Sequence, residues 1–455
     1  MLSKFVKERF QGEISLWDTI TKNNTQTFTN LMSTKSVKVD NRTIVLKSDL
    51  NCFNRFITIS QSRSLPLTDV LQYELGILPY SLSKADGTPN TTNKSVLLPL
   101  LEQHISTETV SNAAWIVDGM EVVHTVAAKF NGSYQDFSRS VLQLAIAKSC
   151  ENASVHLVFD NYASEVSIKG FEHSRRAGNA RPLQLSKVHP SMNVTSSQMK
   201  RLLVTEKTKN VLVGFLTDSF NDAKNQDLLQ NRKLYITNGT KCLCIGKGVA
   251  SHEIQELCSS KEEADSRMFL HVKYEVNKGS EHIIIRSKDT DVTVIALYFQ
   301  AIMSTAKLYV YRNAYHDLSA SVETLGQGLC LALPGYHALT GCDSTSCFYL
   351  INKAKGFKLL QEIEYAVAVM QLGQSFNVSE EVFEMIEAFV AALYNFPKSK
   401  INAVQVKKFK KIQSSQELPP TQDSLKLHIL RTNYQTRVWK LSMDNVPICQ
   451  DCEYR

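Results

Sequence analysis

Seven acidic residues stand where structural elements should begin or end: Asp118, Asp160, Glu263, Asp265, Asp289, Asp291 and Asp343. The densest pair closes the run Ile283-Ile-Ile-Arg-Ser-Lys-Asp289-Thr-Asp291, in which a β-branched apolar stretch ends abruptly in acid. Residues two apart near the end of a strand point to the same side, so both carboxylates are expected at one spot on the C-terminal edge of a sheet, where α/β proteins place their ligands. The pattern repeats upstream in Ala114-Trp-Ile-Val-Asp118-Gly and Val155-His-Leu-Val-Phe-Asp160-Asn. Lys261-Glu-Glu-Ala-Asp-Ser-Arg-Met-Phe-Leu-His271 has helical periodicity, with Glu263 and Asp265 in the first turn, where the helix dipole favours acids. Asp343 follows in Ala338-Leu-Thr-Gly-Cys-Asp. Taken singly, each fits a solvated turn; their repetition points to a shared site. Clustered carboxylates need a cation, and hard divalent ions take carboxylate oxygen, so the set suits two Mg²⁺ or Mn²⁺ ions acting on a phosphodiester.

The order of these acids resembles the flap-endonuclease/XPG branch of PIN-like nucleases over roughly residues 112 to 360. The wording Glu-Glu-Ala-Asp-Ser-Arg is similar to PIN-like proteins abundant in invertebrate genomes, some of them associated with mobile elements. That resemblance implies a divalent-metal-dependent, structure-specific nuclease. Asp118, Asp160, Glu263 and Asp265 would hold one metal, and Asp289, Asp291 and Asp343 the other. It also assigns Lys169 and Arg176, within Lys169-Gly-Phe-Glu-His-Ser-Arg-Arg176, to neutralising charge on the scissile phosphate. Where the family grips duplex backbone, this chain has Phe348-Tyr-Leu-Ile-Asn-Lys353-Ala-Lys355-Gly, without the glycine hairpin but with two lysines for phosphate. The same acids also fit a non-catalytic scaffold binding nucleic acid or protein.

Length and composition leave room for both. The chain has 455 residues, 43% hydrophobic, which suffices for one large domain with appendages or for two domains. A net charge of +7 suits a polyanionic partner without requiring one, and the nuclease reading expects DNA ahead of RNA. Residues 1–9 lack a signal-peptide core, no apolar run approaches the ~18 residues of a membrane span, and ten cysteines lack framework spacing. An intracellular protein, nuclear or cytoplasmic, is expected. Half a zinc motif, Cys449-Gln-Asp-Cys452, has no second half.

The strand-helix alternation that starts at 112 argues for an α/β fold with a mostly parallel central sheet covered by helices, and the resemblance implies that this sheet is a PIN-like core. The expected organisation is an accessory segment at 1–110, the core at 111–360 and a helical C-terminal region at 361–455 with a basic tail around Val406-Lys-Lys-Phe-Lys-Lys-Ile412. A hairpin is expected around residues 38–46 and a glycine-closed helix over 67–76. Within the core, 165–250 takes the place of the family's arch, with a helix over Ser196–Lys209 offering Lys200, Arg201, Lys207 and Lys209 to nucleic acid or simply to solvent. Lys233–Ile245 reads as a hairpin turning at Asn238-Gly239, with Cys242 and Cys244 packed in the sheet. Helices are expected at 359–370 and, capped by Ser379, at 380–394.

Overall fold

Ile283, Ile284 and Ile285 are wholly buried, yet they face two different cores: Ile283 and Ile285 join one, Ile284 the other. Side chains alternate across a strand, so a strand can be apolar throughout only if both faces of its sheet are covered. The computed structural model describes residues 34–39 and 42–47 as backbone, most of 56–106, 110–161, most of 182–411, and 415–445. Its first two strands, β1 (Thr34–Val39) and β2 (Arg42–Lys47), form the expected N-terminal hairpin. The main sheet comprises β3 (Ile105–Ser106), β4 (Ala114–Asp118), β6 (Ser154–Val158), β8 (Lys233–Asn238), β9 (Lys241–Gly246), β10 (Val249–Glu253), β11 (His282–Arg286), β12 (Lys307–Tyr311) and β13 (Tyr315–Asp317). β5 (Asn131–Ser133) and β7 (Asn193–Thr195) pair separately.

The strand order is β10-β9-β8-β6-β4-β11-β12-β13-β3. β8, β6, β4, β11 and β12 run parallel, flanked by antiparallel edges, so the molecule is α/β with a largely parallel centre. Growth of the sheet reverses at β4: β6 and β8 follow on one side, β11 and β12 on the other. Such a switch point opens a crevice beyond the carboxyl ends of the strands. Ala114 and Ile116 join the core of Ile283, while Trp115 and Val117 join that of Ile284, so adjacent strands agree on which side chain faces which helical layer.

Three local expectations change. The basic segment forms two helices, Ser196–Leu202 and Glu206–Phe220, broken where β-branched Val204 and Thr205 stand together and Thr205 adopts extended backbone. Residues 359–370 also divide, into Lys353–Leu360 and Ile363–Met370, and the 67–76 helix shortens to Leu67–Leu71. The Asn238-Gly239 hairpin forms as expected, with Gly239 at φ +56°, but β8 pairs in parallel with β6, so this end of the supposed arch belongs to the main sheet. Ser379 caps Glu380–Leu393 by accepting from the Val382 amide, and Cys242 and Cys244 are buried beside Tyr235 and Leu257. The boundary expected at 110 does not divide the core, because Leu82, Leu97 and Leu101 pack into it and β3 closes one edge of the sheet.

One buried polar network fixes the helix Ala264–Asn277 against β6. His156 Nε2 lies 2.9 Å from Glu275 Oε1 and its Nδ1 lies 2.9 Å from His271 Nδ1, while Tyr235 stacks on its ring at 4.2 Å. Lys278 and Ser280 donate to the two Glu275 oxygens at 2.7 Å each. Burial alone would raise the Glu275 pKa, but the hydrogen bonds from His156, Lys278 and Ser280 bring it down to about 2. A carboxylate depressed in the fold stabilises above its unfolded pKa and loses that contribution as pH falls towards its folded value. Glu275→Gln should therefore lower the melting temperature at pH 7, and the deficit should shrink as pH drops from about 4.5 towards 2, as thermal unfolding across that range will check.

Candidate metal centre at the sheet edge

Each acid reaches the C-terminal edge by a local rule. Asp118 ends β4 and caps the helix Gly119–Ala127, accepting from the Glu121 amide at 3.0 Å. Asp160 lies two residues past β6, and its Oδ1 accepts from the Ala264 amide at 2.7 Å, bringing that strand end onto the start of the helix Ala264–Asn277. Glu263 is the residue before that helix and Asp265 lies in its first turn, both buried. A helix that leads into a parallel strand runs back along the sheet, so its N-terminus lies at the carboxyl edge, and its dipole favours anions there.

Asp289 and Asp291 are expected at a strand end but sit one element later: β11 stops at Arg286, Asp289 caps the helix Thr290–Ile302, and Asp291 is in its first turn. Asp289 Oδ1 accepts from the Asp291 amide at 2.9 Å, so capping geometry rather than strand alternation brings the pair together. Arg312 holds the approach by donating to the carbonyls of Lys288 (2.9 Å) and Asp289 (3.3 Å), and its Nε lies 3.1 Å from Glu102. Glu121 Oε2 accepts from the Lys288 amide at 2.9 Å, linking this loop to the helix after Asp118.

Asp343 arrives on the loop after the helix Gln327–Leu339. Gly341 there has φ +104°, and a Cβ on it would lie 2.6 Å from that of Cys347, so only glycine closes the turn without a shift. The long C-terminal helix Gln422–Lys440 supports the loop, with Gln435 accepting from Ser344 Oγ at 2.7 Å.

Ligand oxygens of Asp265, Asp289 and Asp291 all lie within 4.8 Å of one another, close enough for one ion to bridge. Burial, then the charge of Asp265, with Asp160 adding, pushes the Asp118 pKa well above the ordinary carboxylate range. These are all-oxygen donors, the kind that hard divalent cations take.

Three contributors were not legible in the sequence. Lys94 Nζ lies 2.7 Å from Asp289, 3.0 Å from Asp291 and 3.1 Å from Asp343. Glu102 anchors Arg312, and His337 Nε2 lies 2.8 Å from Asp291 Oδ1. Burial, then the nearby Lys353 charge, lowers the His337 pKa to about 4, so the ring is neutral and donates its Nε2 proton to the carboxylate. The spacing of His337 from Gly341 and Asp343 was the only hint available for it.

Among the basic residues, Lys200, Arg201, Lys207 and Lys355 are exposed and Lys209 is half-buried, so all can face a polyanion, though from separate helices. Lys353 cannot: its side chain is buried and donates to Thr340 Oγ1 (2.7 Å), the His337 carbonyl (2.9 Å) and His337 Nδ1 (3.2 Å). Its expected phosphate contact is corrected to an internal one, since a helix starting at Lys353 turns that residue inward and Lys355 outward. Lys169, Arg176, Cys449, Cys452 and part of the basic tail lie outside the described residues. No family model matches the chain, and a search of curated proteins finds no significant match. Among the described residues, no helix is long and apolar enough to cross a membrane.

Lys353→Ala should destabilise the fold by about 2–5 kcal/mol, from a cavity and buried acceptors left unpaired, without changing the salt dependence of nucleic-acid binding. Denaturant unfolding and a salt titration check both halves.

Proposed function

We propose that the chain is a divalent-metal-dependent phosphodiesterase acting on nucleic acid, with the acidic edge as its centre. The observation that carries this is the meeting, at one switch point of a parallel sheet, of carboxylates from separate motifs: Asp118, Asp160, Asp265, Asp289, Asp291 and Asp343. A bound Mg²⁺ or Mn²⁺ would polarise the scissile phosphate and orient the attacking water. The chain's own work is to hold ligands in place: Asp160 by the Ala264 amide, Asp291 by His337, and the Asp289 backbone by Arg312. Lys200, Arg201, Lys207 and Lys209 would attract the phosphate backbone from the helices between β7 and β8, with Lys169 and Arg176 nearer the scissile group by resemblance.

A second reading, a non-catalytic scaffold, draws on Lys94: an ammonium among three acids can satisfy them without any metal. Cleavage of labelled single strands, duplexes and 5′ flaps by the parent and by Asp289→Asn separates the two. In Mg²⁺ or Mn²⁺, Asp289→Asn should lose more than ~100-fold in rate, beyond the roughly 10–100-fold typical of residues that only support a ligand. Ca²⁺ should support binding without cleavage, because its looser coordination does not hold the in-line geometry. A folded parent that cuts none of these substrates would leave the scaffold.

Replacing Lys200, Arg201, Lys207 and Lys209 together should weaken binding and flatten its dependence on log salt by about 0.9 for each duplex phosphate no longer neutralised, read by titrating affinity against salt.

A further inference from the structure

Lys94 comes from a part of the chain that carries none of the acidic motifs, yet its ammonium contacts three of the acids directly. Its three distances, 2.7, 3.0 and 3.1 Å, run to one oxygen each of Asp289, Asp291 and Asp343. The Asp289 and Asp291 contacts are charge-assisted hydrogen bonds, and the Asp343 contact is an ion pair. The mount is built. Lys94 opens a short 3₁₀ turn, Lys94–Leu97, capped by Asn93, whose side chain accepts from the Ser95 amide at 3.2 Å and from Ser95 Oγ at 2.7 Å. Leu97 and Leu101, behind it, are wholly buried in the main core. The lysine side chain is only 19% exposed, and Asp291 and Asp343 are 1% and 10% exposed.

Mg²⁺ binds oxygen at about 2.0–2.1 Å and keeps an octahedral shell, so an ion on these three oxygens and an ammonium bonded to the same three exclude each other. We propose that Lys94 is a resident cation on one oxygen each of Asp289, Asp291 and Asp343, where a second divalent ion would otherwise sit, so that the chain binds one divalent ion rather than two. This rests on the metal-dependent reading above and changes its ion count. Lys94 would then act as a positioning residue. It draws three carboxylates together and places a fixed positive charge beside the remaining ion.

The test counts ions directly, by calorimetric titration of the purified chain with Mn²⁺ and by the electron paramagnetic resonance of free Mn²⁺. The parent should bind one ion. Lys94→Met, which keeps the stem's length and removes the charge, should bind two, and Lys94→Arg should return to one. In melts, Lys94→Met without metal should be less stable than the parent, and Mn²⁺ should raise its melting temperature by more than it raises the parent's, since ligand bound only by the folded state stabilises by mass action. Two ions on the parent would overturn the proposal while leaving the metal-dependent reading intact, and this outcome needs no variant to fold. One ion on both parent and Lys94→Met would also overturn it, because Lys94 would not be setting the number. No ion on either protein would overturn the metal-dependent reading itself, and the proposal with it.

Discussion

Carboxylates gathered into a protein edge repel one another, and the rest of this structure is arranged around that repulsion. Two charges 4.8 Å apart, the limit within which Asp265, Asp289 and Asp291 offer their oxygens, oppose each other by about 3 kcal/mol at an effective dielectric of 20. Burial first, and then the charge of Asp265, raises the Asp118 pKa, so part of the same cost is seen at one residue. A fold that held these groups close with no compensation would forfeit much of a typical stability of about 5–15 kcal/mol. Compensation comes from backbone amides at helix N-termini, used by Asp118, Asp160 and Asp289, from His337 on Asp291, and from the ammonium of Lys94.

Holding the acids in place is work for the core. The two hydrophobic clusters grip opposite faces of the same strands, so β4 and β11 cannot slip by one residue without exchanging every buried side chain between layers. The His156–His271–Glu275 network adds a polar register mark, tying the strand that leads to Asp160 to the helix that starts beside Asp265. Arg267, from the same helix, is buried and donates to the carbonyls of Thr240 and Lys241, so the segment bearing Glu263 and Asp265 also fastens the Asn238-Gly239 hairpin. A residue that reads as part of a catalytic wording is thus a structural clamp.

The basic side chains divide along the same line between surface and interior. Lys353 and Lys355 are two positions apart on one helix, yet one bonds to His337 and Thr340 inside the protein and the other reaches solvent. Burial pulls the Lys353 pKa down to about 7, which marks it as part of the scaffold behind Asp291 rather than as a phosphate contact. Lys94 shows the converse: a lysine in a segment without acidic motifs faces the acids.

What the sequence by itself determined is local. β-branched runs ending in acid placed Asp118 and Asp160 at or just beyond strand ends. A helical period placed Asp265 in a first turn, and Asn238-Gly239 set its hairpin, because strand alternation, helix capping and turn preference act over a few residues. Even there, the Asp289-Thr-Asp291 pair was legible only as a pair, and its helix-capping geometry was not. Tertiary structure alone decided that Lys94 meets Asp289 across 195 positions of chain, that Glu102 holds Arg312, and that Leu82, Leu97 and Leu101 belong to the core. No local period records such contacts: they follow from which strand ends the sheet order brings side by side, and a single lysine among 51 basic residues carries no mark of the neighbours it will have.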